Sequence, residues 1–167
     1  MPRLLPILSL AIAILSTGTP AFAGGKSDWE WYGWSTVKVS KCVASAGGVD
    51  CPGVRQKWDW KRDQWVEVAV SVNARAVSVF QRVTNKDRSD RDDVCVTVLF
   101  LDAAGETVLA HHQNWSSDPS SVTERQFSYP AAAWPQVASI AVGSKQCRQG
   151  PHQDDAIYAA VLAGLPR

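Results

Sequence analysis

The stretch WVEVAVSV, from Trp65 to Val72, constrains the fold more than any other part of the chain. Val66, Val68, Val70 and Val72 recur at every second residue, separated by Glu67, Ala69 and Ser71. In an extended strand, a period of two places all four valines on one face; in a helix the same spacing would scatter them. AVSVFQRV follows, with Val77 and Val79 out of phase with the first set. The register must therefore reset at Asn73 to Arg75, through a turn or a bulge. VCVTVLFLD sets Val94, Val96, Val98 and Phe100 on one face and Cys95, Thr97, Leu99 and Leu101 on the other. Two largely apolar faces are the mark of a strand inside a sandwich. Asp102 to Gly105 reads as a hairpin turn leading into a further strand, and SVTERQFSY and VASIAVGS read as two more. NKDRSDRDD, residues 85–93, carries no apolar side chain and reads as a solvated connection, not core. DDAIYAAVLAGL fits either a strand or a short helix opening at Asp154 and Asp155. Short strands, frequent turns and few helix signals give an all-β, antiparallel β-sandwich.

The first residues set the compartment. Arg3, the apolar run LLPILSLAIAILS and the small-x-small site Ala21-Phe22-Ala23 are the three parts of a secretory signal peptide, residues 1–23. The run is shorter than the about 20 apolar residues a bilayer span needs. Residues 24–167 then form a single domain with no later run long enough for a membrane span. The formal charge of the whole chain is +1, and removing Arg3 with the signal brings it to zero. A neutral protein has no global field to attract nucleic acid. The expected location is periplasmic or secreted.

All four cysteines, Cys42, Cys51, Cys95 and Cys147, fall in the exported part, where disulfides form. Three pairings are open. The favoured one is Cys42–Cys51, closing a Gly- and Ala-rich loop, with Cys95–Cys147 tying a central strand to a late one. No CxxC occurs and the cysteines are scattered, which disfavours zinc.

The span VTNKDRSDRDDVCVTVLFLDAAGETV resembles FxLYD-type and related immunoglobulin-like modules of bacterial envelope proteins. Val96, Val98, Phe100, Asp102, Gly105 and Val108 match a V-x-V-x-F-x-D-x-x-G-x-x-V hairpin, within roughly residues 76–110. Leu101 stands where that family has its tyrosine. The resemblance implies an immunoglobulin-like sandwich and a non-catalytic role; it carries over no site residues.

Eight tryptophans remain to be placed. DWEWYGW sets Trp29 and Trp31 two apart, with Tyr32 on the opposite face; KWDWKRDQW does the same with Trp58 and Trp60. Such rings serve either as intersheet packing or as a surface for a protein or a sugar. Trp29, Trp31, Tyr32, Trp58 and Trp60 are the candidate binding residues, with Trp29 and Trp31 the more exposed pair.

No catalytic set stands out. His111 and His112 are adjacent, so in a strand they face opposite sides and cannot share a metal. His152 with Asp154 and Asp155 is a weak metal candidate. The charge run at residues 85–93 lacks the glycine and glutamate of a calcium loop. No GxSxG turn occurs. The chain is therefore read as a non-enzyme without cofactor or metal. It is expected to be an exported interaction module with a protein partner, or alternatively a polysaccharide or cell-wall binding module.

Overall fold

The computed structural model describes residues 34–58 and 63–146. Two antiparallel sheets face each other. The strands are β1 (Trp34–Lys38), β2 (Val43–Ser45), β3 (Gly48–Asp50), β4 (Val54–Gln56), β5 (Gln64–Asn73), β6 (Ala76–Asn85), β7 (Asp92–Leu101), β8 (Thr107–Ser117), β9 (Ser121–Pro130) and β10 (Ser139–Gln146). One sheet has the order β1-β10-β7-β8. The other runs β2-β3-β5-β6-β9, with β4 beside β3 along the same edge of β5. The chain is an antiparallel β-sandwich, as the period-two pattern requires.

The valine rows are the core. Val66, Val68, Val70 and Val72 of β5 lie beside Val83, Val79 and Val77 of β6, and all are buried. Val94, Val96, Val98 and Phe100 of β7 close over them from the other sheet, with Ile140 and Val142 of β10. The phase change between the valine sets is a hairpin turn. The Asn73 carboxamide Oδ1 accepts from the amides of Arg75 (2.8 Å) and Ala76 (2.9 Å), which leaves Val72 paired with Val77. The second hairpin closes the same way. Asp102 Oδ1 accepts from the amides of Ala104 and Glu106, and Gly105 takes φ +86°, a conformation that suits glycine.

The charged stretch 85–93 needs a correction. Its ends are interior: Asn85 and Asp92 are buried. Asn85 holds them together through its amide, donating to the carbonyls of Asp90 (3.0 Å) and Ser117 (3.2 Å) and accepting from Gln64 (3.0 Å). Gln64 and Gln146 donate to the Asp92 carboxylate. Polar groups are tolerated inside when bonded like this, and residue type alone does not reveal it.

The Cys42–Cys51 disulfide is present and clamps the two ends of the β2–β3 hairpin. Cys95 is buried on β7 and none of the described cysteines is free. Cys147 lies outside the described residues, and the expected Cys95–Cys147 bridge with it, so one disulfide is described where two were expected. The signal segment and the DDAIYAAVLAGL segment also lie outside the described residues.

Opposite edges of the sandwich differ. On the β1/β4 side the sheets are bolted together: Gln56 donates to Ser35 Oγ (2.9 Å), and Ser144 Oγ donates to the Lys57 carbonyl (2.9 Å). On the other side run the two long edge strands β8 and β9, joined by the turn at residues 118–120.

Two neighbouring glycines test the packing of the β3 edge. A Cβ on Gly48 would sit 1.8 Å from the Val72 carbonyl oxygen, whereas one on Gly47 meets nothing within 4 Å. Chemical denaturation should find Gly48→Ala destabilised by about 1–3 kcal/mol, typical of an overpacked site, and Gly47→Ala within about 0.5 kcal/mol of the parent.

Candidate functional site

Alternation along β5, β6 and β9 sends one set of side chains outward from the six-stranded sheet. Register aligns them in rows: Trp65, Thr84 and Val122; then Glu67, Arg82 and Glu124; then Ala69, Phe80 and Gln126. The middle row alternates in charge. Arg82 reaches Glu124 at 2.5 Å and Glu67 at 3.5 Å. These groups are well exposed, so the row orients charges more than it stabilises the fold. Trp65 lies beneath two cations, with the Arg55 guanidinium 4.0 Å and the Lys86 ammonium 5.0 Å from its ring centroid. Val122 is 61% exposed.

β9 is the last strand of this sheet. It pairs with β6 over its whole length, Ser121 to Pro130. Among the described residues nothing pairs with its other side. An edge strand of an antiparallel sheet turns half of its N–H and C=O groups away from its neighbour. Most β9 residues are exposed, whereas β8, the edge of the facing sheet, is largely half-buried or buried.

Behind β9 lies a buried polar chain that fixes its own protonation. The Trp115 indole can only donate, and its Nε1 donates to Gln81 Oε1 at 2.8 Å. That orients the Gln81 carboxamide, whose NH2 then faces His111 Nε2 at 2.7 Å and donates to it. Nε2 is thus the acceptor, so the imidazole proton sits on Nδ1, which donates to the Tyr129 hydroxyl. Gln81 and His111 are 0% and 1% exposed. The imidazole also packs on the Phe127 ring, centroids 4.4 Å apart. Phe127 and Tyr129 belong to β9, and Arg125 of the same strand lies 5.0 Å from the Trp115 ring centroid. The chain joins β6, β8 and β9 across the two sheets.

Burial, and after it the charge of His112, lower the His111 pKa from an ordinary value of 6.5 to about 4. A depressed histidine pKa favours the folded state above the unfolded value. That contribution is complete above pH 6.5 and disappears as the pH falls towards 4. Unfolding titrations should lose on the order of 3 kcal/mol over this window. In His111→Gln the parent stability should be lower, and this part of the pH dependence should be absent.

The residues singled out from sequence separate. Trp58 lies in the core, 1% exposed, and its indole N–H has no partner among the described residues. Trp29, Trp31, Tyr32 and Trp60 lie outside the described residues, as do His152, Asp154 and Asp155. His111 and His112 face opposite sides of β8, His111 inward and His112 bonded to Thr97 (2.8 Å) and Asn114 (2.6 Å). Among the described residues no three of His, Cys, Asp and Glu gather as metal ligands, and no helix is long and apolar enough to cross a membrane. Sequence reasoning missed Gln81, whose signal was available: it holds a valine position in the row Val77, Val79, Gln81, Val83. It also missed Trp65 and Val122 as surface groups.

No family model and no curated protein matches the chain. Among solved structures it is similar to an uncharacterized lipoprotein, yajI, from Escherichia coli, at 13% identity and a TM-score of 0.33, over 65% of this chain and 74% of that one. It is also similar to the enzymatically active domain of tailspike protein 4 of bacteriophage CBA120, at 9% identity and a TM-score of 0.29, over 71% of this chain and 18% of that one. Likenesses of this size carry no argument about fold or function.

Proposed function

We propose that the protein is an exported, non-catalytic binding module whose partner is another protein, met in the periplasm or outside the cell. The observation that carries this reading is the outward surface of the six-stranded sheet at β9. There the exposed Val122 and the half-buried Phe80 flank an ordered row of alternating charges, Glu67, Arg82 and Glu124. Apolar anchors framed by paired charges are what a protein partner uses for affinity and for register. The signal-like first 23 residues and the disulfide fit an extracytoplasmic setting. The partial resemblance to FxLYD-type envelope modules points the same way. A polysaccharide needs open ring faces to stack on, and among the described residues the tryptophan on this surface, Trp65, has two cations over its ring.

Immobilised mature protein, challenged with envelope extract, should retain a discrete protein. Val122→Asp should cut that retention at least about tenfold, a change of about 1.4 kcal/mol, with an unchanged circular dichroism spectrum. If nothing is retained, or if a glycan is retained and lost in Trp29→Ala and Trp31→Ala, the reading fails and the polysaccharide alternative replaces it in the second case.

A further inference from the structure

We propose that β9 accepts an extended segment of the partner as an added antiparallel strand, and that Glu124 and Arg125 select it by charge. This deepens the protein-binding reading and rests on it. Five edges are available among the described residues. β1 has five residues and β2 and β4 three each, all short for pairing with another chain. β8 carries a register shift opposite Phe100 and Leu101 and is largely half-buried or buried. β9 has ten residues in unbroken register with β6, most of them exposed. It is also braced from inside, because Phe127 and Tyr129 are fixed against His111. A braced strand with one bare side is already in the conformation that strand addition requires.

The side chains state what the added strand should carry. On the outward face Glu67, Arg82 and Glu124 run minus, plus, minus across three strands. The next position in that row takes a cation. On the inward face Arg125 occupies the adjacent position of β9, and the residue facing it takes an acid. Val122 outward and Phe127 inward mark the apolar positions on either side. Read from its N-terminus, an antiparallel partner segment therefore has the pattern apolar, any, acid, base, any, apolar, facing residues 127 to 122 in turn. Opposite charges directly across an antiparallel pair are favourable and like charges are not.

A second copy of β9 fits less well in the register centred on Arg125. A two-fold axis perpendicular to the sheet brings a residue of β9 opposite itself or opposite another on the same face. Centring there sets Arg125 against Arg125. Centring on Glu124 sets Glu124 against Glu124. The charge pair that would welcome a foreign segment hinders these two self-pairings.

The probe is a ten-residue peptide with Val facing Val122 and Phe127, Lys facing Glu124, Glu facing Arg125, and Thr elsewhere. It is titrated into the full mature protein and followed through backbone amide resonances. We expect shifts concentrated on Ser121 to Tyr129 and on the β6 residues beside them. A peptide with its Glu and Lys exchanged should bind at least about threefold more weakly, given the size of cross-strand charge pairs. Arg125→Glu should reverse the preference between a peptide with Glu and one with Lys at the facing position. The peptide comparison leaves the protein unaltered, so a fold defect in the variant cannot decide the outcome. Shifts centred on another strand, no shift at millimolar peptide, or equal binding of the two peptides overturns the proposal. So do concentration-dependent shifts on β9 without peptide, which would assign the edge to a second copy. If the peptide fails while Val122→Asp still abolishes capture from envelope extract, the edge pairing is wrong and the protein-binding reading stands.

Discussion

The Trp115 indole has one hydrogen to donate and no lone pair to accept with, and much of the sandwich is organised around that limit. It orients Gln81, Gln81 sets the tautomer of His111, and His111 meets the hydroxyl of Tyr129. Each step follows from donor and acceptor inventory, with no freedom left to reverse any of them. A half-satisfied network in such a dry setting would be worse than an apolar one. This one is complete from indole to phenol, and it places a polar seam beside a core built largely from valine.

On the β8 side the seam is joined by a second polar tie, Asn85 of β6 donating to the Ser117 carbonyl of β8. On the opposite side Gln56, Ser35, Ser144 and Lys57 tie the sheets together near the β1 and β4 edges. At β9 itself the tie is His111 with Tyr129 and Phe127. β9 is thereby held along one edge by β6 and from beneath by aromatic side chains, and its other edge is free of described partners. Structural need and the proposed binding role meet in the same strand. The interior fixes its conformation, and the exposed Glu124 and Arg125 keep an unpaired edge from joining strands indiscriminately.

The valine rows were legible because period-two alternation reports the buried face of a strand directly. Val66 to Val72 and Val94 to Phe100 follow from it, and so does a register reset at Asn73 to Arg75, which alternation alone leaves open between a turn and a bulge. Most of the polar interior was not legible, since His111, Asn85 and Asp92 are residue types that usually face water, and only register shows that they point inward; Gln81 alone carried a signal, at a valine position of its row. Nor was the surface. Trp58 was a candidate for binding and is core, while Trp65, seven residues later, is on the outside beneath Arg55 and Lys86. Both sit in a run rich in tryptophan and charge; Trp65 faces outward because it is out of phase with the buried valines that follow it in β5.

Residue-resolved hydrogen exchange of the β9 amides in the mature protein tests the central claim most directly. A rigid strand with one bare edge predicts alternation from Ser121 to Tyr129: amides bonded to β6 protected close to the level of the core, and those between them exchanging orders of magnitude faster. Uniform protection would mean that the outer edge is already covered. Uniformly fast exchange would mean that the strand is not braced from within. Either result would contradict the account of β9 as a preformed, unoccupied edge.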